Sequence, residues 1–224
     1  MATAGSRGVN RARRIVPTLS AIALISGVGC APVAVPAGGS PASGVSATQS
    51  DSGGIPAGYG SLKQDDIALR VVQFGLQVRA IPLDESVIRV LSPDSYRALA
   101  DLVRSQESRL SDVRRRTALS RLSLWYVSFF GVEIGEARFS PMELIITNVG
   151  RDFRPIEVLP LSPGFGQQRV RQREVQHALY AFDGQLDINQ PLVLSYETAR
   201  ARDWSSVLER IERERSLVRS RVRR

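Results

Sequence analysis

Leu122-Ser123-Leu124-Trp125-Tyr126-Val127-Ser128-Phe129-Phe130-Gly131-Val132 is the most apolar and aromatic stretch of the chain beyond residue 30. Its aromatic and β-branched side chains fit a pleated surface, and a near-continuous apolar run fits a strand covered on both faces. It reads as the central strand of the fold, with Trp125 as a core anchor.

Working back from this strand, Ile67, Leu69 and Val71 alternate with Ala68 and Arg70. Leu76, Val78 and Ala80 alternate with Gln77 and Arg79. The phase breaks at Gln73-Phe74-Gly75, which predicts a hairpin turn. Pro82 ends the pair or marks an edge. Residues 84–91 fit a short helix or a strand. Ser92-Pro93-Asp94 combines a cap residue, proline at the first helical position and an early acid, the signature of a helix start. Tyr96, Leu99, Val103, Gln106, Leu110, Val113 and Thr117 then alternate at spacings of three and four, predicting one long helix over about residues 93–118. Its outer faces carry Arg114-Arg115-Arg116, a candidate interaction surface for a partner or anionic head groups; a solvated helix end explains the triplet as well.

Beyond the central strand, Met142, Leu144 and Ile146 alternate with Glu143 and Ile145, Asn148–Asp152 has turn composition, and Phe153–Pro160 resumes extended structure. Pro155 and Pro160 favour an edge there. Val175–Phe182 and Leu192–Tyr196, separated by a turn at Asp183-Gly184, read as closing strands. About seven short strands, with turns near every ten residues and no βαβ rhythm, predict a mainly β, antiparallel sandwich over residues 61–200. Residues 201–224 form an amphipathic helix with a basic, frayed tail. Trp204, Val207, Leu208, Ile211, Val218 and Val222 share one of its faces. That face either packs on the sheets through Trp204 and Ile211 or offers them to a partner.

Cys30 is the only cysteine among 224 residues, so neither a disulfide framework nor a cysteine-built zinc site exists. It follows Arg7, Arg11, Arg13 and Arg14 and then the uncharged, mostly apolar run Ile15–Gly29. This has the layout of a secretory signal and is short for a membrane span. Ending at Gly27-Val28-Gly29-Cys30, it resembles the signal peptide and lipobox of bacterial lipoproteins, although Gly27 stands where that family usually has leucine. The resemblance implies a signal peptide over residues 1–29, lipidation of Cys30 and a membrane anchor. Ala31 in place of aspartate implies the outer membrane rather than the inner. Residues 30–60, rich in Ala, Pro, Gly and Ser, read as a flexible tether. The succession of Met142–Asn148, turn, Phe153–Pro160 and a closing pair resembles immunoglobulin-like sandwiches of bacterial surface lipoproteins.

The net charge of +8 lies at the ends. Residues 200–224 carry nine arginines against four acids, and residues 30–199 hold 17 basic and 18 acidic residues. The basic residues are 29 arginines and one lysine, Lys63, a ratio that points to genomic base composition rather than to nucleic acid as a partner. No G-x-S-x-G elbow, P-loop or H-E-x-x-H motif occurs. His177, the only histidine, lies in a strand pattern. Asp65 with Asp66, Asp84 with Glu85, and Asp183 with Asp187 admit carboxylate chemistry on envelope glycans. Asp183, Asp187 and Asn189 admit calcium. Turn chemistry accounts for the same residues more simply. The expectation is therefore a non-catalytic binding or structural module of the envelope, without metal or cofactor and with a protein partner. A glycan hydrolase and a polyanion binder acting through the C-terminal arginines are the alternatives.

Overall fold

Alternation in the first hairpin produces β1 (Leu69–Gln73) and β2 (Leu76–Pro82), paired antiparallel with Gln73 opposite Leu76. Phe74 and Gly75 bridge them at φ of 48° and 72°. Two successive positive φ values match the right-handed twist of the flanking strands. The computed structural model describes residues 55–222. The deciding stretch is β3 (Leu122–Gly131), which pairs with β2 on one side and with β9 (Val175–Asp183) on the other. With β7 (Glu157–Pro160) at the far edge, the first sheet has the order β1-β2-β3-β9-β7.

A second sheet has the order β11-β10-β5-β6, built from β5 (Leu144–Asn148), β6 (Arg151–Phe153), β10 (Leu192–Tyr196) and β11 (Ala199–Ala201). β4 (Glu136–Arg138) and β8 (Arg169–Arg171) form a separate ribbon. All pairings between these strands are antiparallel. The domain is mainly β, as expected.

Period-two alternation sets which side chains meet. Trp125, Val127 and Phe129 share one face of β3 with Tyr180 and Ala178 across the ladder. Leu144, Ile146, Leu194 and Tyr196 are buried on the second sheet. The two faces meet where the Phe129 and Tyr196 rings approach to 5.8 Å edge-on and Phe129 stacks on Phe139 at 4.4 Å. The opposite face of the first sheet carries Tyr126 and the buried Leu179. Helices cross it: Arg109 donates to the Pro160 carbonyl at 3.4 Å, and Arg116 pairs with Glu157 at 2.9 Å.

Several expectations need correction. The long helix is two helices, α2 (Pro93–Ser105) and α3 (Glu107–Thr117), after a short α1 (Glu85–Ile88). Gln106 leaves helical geometry at φ −102°, ψ 4°, and the Ser105 hydroxyl donates to the Leu102 carbonyl at 2.7 Å. A serine back-bonded in this way bends a helix. Met142 is not in a strand. Pro141 starts a single 3₁₀ turn, Pro141–Glu143, that leaves Met142 exposed. β4, β8 and β11 were not expected. Three-residue strands are too short for alternation to register.

The tether expected over residues 30–60 ends earlier. Ile55 is only 4% exposed, and the Gly58 N–H donates to the Arg89 carbonyl at 3.0 Å. A Cβ at Gly60 would lie 1.6 Å from the Val90 oxygen, so glycine permits this close approach. Cys30, the expected signal peptide and the rest of the tether lie outside the described residues. No helix among the described residues is long and apolar enough to cross a membrane.

α4 (Trp204–Val222) extends past Arg219, into the stretch expected to fray. Trp204 and Ile211 are both fully buried, so neither reaches the surface as an interaction residue. The Trp204 ring lies 6.1 Å from Trp125. α4 also docks through the buried Glu214, which accepts from the Ser61 N–H at 2.8 Å and its hydroxyl at 3.0 Å.

Candidate functional site

Asn148, at the end of β5, is buried and organises the loop between β9 and β10. Its Nδ2 donates to the carbonyls of Asp187 and Pro191, both at 3.1 Å, and its Oδ1 accepts from the Asp187 N–H at 3.0 Å. Trp204 Nε1 donates to the Ile188 carbonyl at 2.8 Å. The loop is thus held by two side chains rooted in the core. Gly184 lets it approach residue 121, since a Cβ there would lie 2.7 Å from the Arg121 carbonyl oxygen.

This fixed loop forms one wall of a cleft of about 430 Å³. Arg121, just before β3, adjoins the loop; α1 and the C-terminal half of α4 supply other walls. Arg89, Arg121, Arg215 and Arg219 line it, with Asp84 and Asp187 as the acids.

The charges differ in how they are engaged. Arg89 pairs with Glu85 at 2.8 Å and donates to the Ile55 carbonyl at 3.1 Å. Arg215 pairs with Glu212 and donates to the Ser86 carbonyl at 2.7 Å. Arg121 and Arg219 have no hydrogen-bond or ion-pair partner among the described residues. Asp84 Oδ1 accepts from the Ser86 N–H at 2.9 Å and its hydroxyl at 2.6 Å. Asp187 Oδ1 accepts from the Asn189 N–H at 2.9 Å. These acids close local turns, while two guanidiniums remain for something else.

The candidates read from sequence lie elsewhere or are already engaged. Arg114 pairs with Glu107 at 2.7 Å, Arg115 with Asp112, and Arg116 with Glu157 at 2.9 Å. Asp65 pairs with Arg70 and Arg79 at 2.9 and 3.2 Å, and Asp66 accepts from the Lys63 N–H. Asp183 Oδ1 accepts from the Gln185 N–H. No group of three or more histidine, cysteine or acidic residues among the described residues is placed to hold a metal ion. His177 faces the helical layer, stacked on Tyr126 at 5.3 Å with Nδ1 2.8 Å from the Tyr126 hydroxyl. Burial, and then the charge of Arg79, lower the His177 pKa. Burial raises that of Tyr126. At neutral pH a neutral phenol and a neutral imidazole therefore share this hydrogen bond.

At the opposite end of β3, Phe74 is 81% and Ile134 is 90% exposed, and both border one shallow pocket. Sequence reading found neither this apolar tip nor the cleft.

In comparisons with known proteins, no family model matches the chain, and no curated protein or solved structure matches it.

Proposed function

We propose that the chain is a lipid-anchored protein of the bacterial cell envelope whose β domain is a non-catalytic binding module. The observation that carries this reading is the position of Cys30. The only cysteine directly follows a charge-free apolar run, itself preceded by four arginines. Acylation there would hold the domain on a membrane, each buried CH₂ contributing about 0.8 kcal/mol. Ala31 favours the outer membrane.

The binding reading is supported by the cleft, where a fixed loop and two guanidiniums without an ion pair among the described residues line a concave polar surface. The module is immunoglobulin-like in a loose sense, with two antiparallel sheets enclosing one core. A protein partner in the envelope completes the proposal.

The intact mass of the protein from its native membrane fraction tests it. Loss of residues 1–29 with acyl mass on Cys30 is the expected result. A soluble chain with an unmodified Cys30 would overturn the anchor.

A further inference from the structure

We infer that the arginine-lined cleft is a phosphate-binding site, and that the phosphate it meets is the head group of an anionic lipid. The choice of lipid as source rests on the anchored reading above; the phosphate chemistry does not.

Of the four cleft arginines, two are neutralised by their own glutamates, Glu85 and Glu212. Both are also fixed by donating to backbone carbonyls, which orders their planar forks before any ligand arrives. Arg121 and Arg219 line the cleft and make no ion pair among the described residues, so their N–H donors are the uncommitted ones. With Glu85 and Glu212, Asp84 and Asp187 balance the four guanidiniums, so the site offers an anion directed N–H donors rather than net charge; each aspartate has Oδ1 engaged by an N–H of its own turn. Guanidinium groups suit phosphate because paired N–H donors match its oxygens, with more directional bonding than an ammonium provides. A volume of about 430 Å³ admits a phosphate together with its glycerol or sugar.

Place in the fold points to the source. Ile55 lines the cleft, and its carbonyl is held by Arg89. Ile55, the first described residue on the Cys30 side of the domain, therefore stands at this cleft. An anchor on Cys30 would precede the domain in sequence on the side of Ile55, which lines the cleft with Arg121 and Arg219. The arginines of α3 that stand out in the sequence are each paired to a carboxylate and lie across the first sheet.

The test uses the full chain carrying Cys30→Ser, so that acylation plays no part. Its binding is measured to inorganic phosphate and to vesicles of phosphatidylcholine with and without phosphatidylglycerol. The comparison variants are Arg121→Ala with Arg219→Ala, and Arg114→Ala with Arg115→Ala, which removes the same charge elsewhere. Thermal melts confirm that each variant is folded. The expected result is retention on phosphatidylglycerol vesicles that falls about tenfold or more in the cleft variant only, with added phosphate competing.

Binding of inorganic phosphate without vesicle binding would keep the phosphate site and overturn the lipid source. Equal losses in both double variants, or none in the cleft variant, would overturn the site. A failed anchor shows separately, as an unmodified Cys30 in the native mass, and changes none of these comparisons.

Discussion

Replacing Trp204 decides whether α4 is part of the core or an arm held out to a partner. The indole is fully buried, lies 6.1 Å from Trp125 and donates to the Ile188 carbonyl at 2.8 Å. Truncating a buried tryptophan to alanine costs about 3–5 kcal/mol. Within that total, the aromatic pair contributes about 0.5–1.5 kcal/mol, and the abandoned Ile188 carbonyl about 1–3 kcal/mol. For a domain of this size the melting temperature should fall by roughly 6–20 °C.

Trp204→Phe keeps most of the apolar bulk and removes only the N–H, so it should cost about 1–3 kcal/mol. Urea unfolding followed by far-ultraviolet circular dichroism measures both. Trp125, then the only tryptophan, reports the same transition by fluorescence. A loss below about 0.5 kcal/mol for Trp204→Ala is what a surface residue would give. That result would refute the packing described here and return Trp204 to the interaction surface expected from sequence.

Three further outcomes follow from named contacts. Glu214→Ala should lower stability by about 1.5–3 kcal/mol, because the charged acceptor of two Ser61 hydrogen bonds is lost; Glu214→Gln should cost less, and denaturant midpoints compare them. His177 has a lowered folded pKa, so its contribution is present above about pH 6.5 and is lost as pH falls through the folded value. Melting temperatures taken between about pH 7.5 and pH 5 should fall with acid, and His177→Gln should flatten that fall. Phe74→Asn should stabilise by about 1 kcal/mol, because Phe74 sits at φ 48° in a turn that favours asparagine before glycine; a fall in the urea midpoint would show that the exposed ring makes contacts worth more than the strain.

What was legible in the sequence had a period long enough to register. Five alternating residues in β1 and seven in β2, parted by a phase break at Phe74-Gly75, set the first hairpin on the page. The ten residues of β3, seven of them large and apolar or aromatic, announced a central strand. Three-residue strands such as β4, β8 and β11 leave no such trace. The break at Gln106 was hidden because Leu110 and Val113 remain in step with Leu99, so the stripe runs on through the bend. Trp204 and Ile211 were visible as one helical face, but periodicity does not say what covers a face. Their burial became visible only where α4 met Trp125 and Ile188.

The arginines show why composition misdirected attention. Arg114, Arg115 and Arg116 are consecutive and conspicuous, but helical geometry places carboxylates within reach: Asp112 lies three residues before Arg115 and Glu107 seven before Arg114, and Glu157 arrives from β7 to meet Arg116. A run of like charge on a helix tends to gather counter-charges along that helix. Arg89, Arg121, Arg215 and Arg219 never appear as a group in the sequence. Pairing of β3 with β9 brings Arg121 beside the Gly184 loop, and docking of α4 through Glu214 brings Arg215 to Ser86. Charges assembled by tertiary contacts need not pair with a local acid, and among the described residues Arg121 and Arg219 form no ion pair. The dispersed arginines therefore bring two guanidiniums with no ion pair among the described residues into one concave site, whereas each arginine of the conspicuous triplet is already paired.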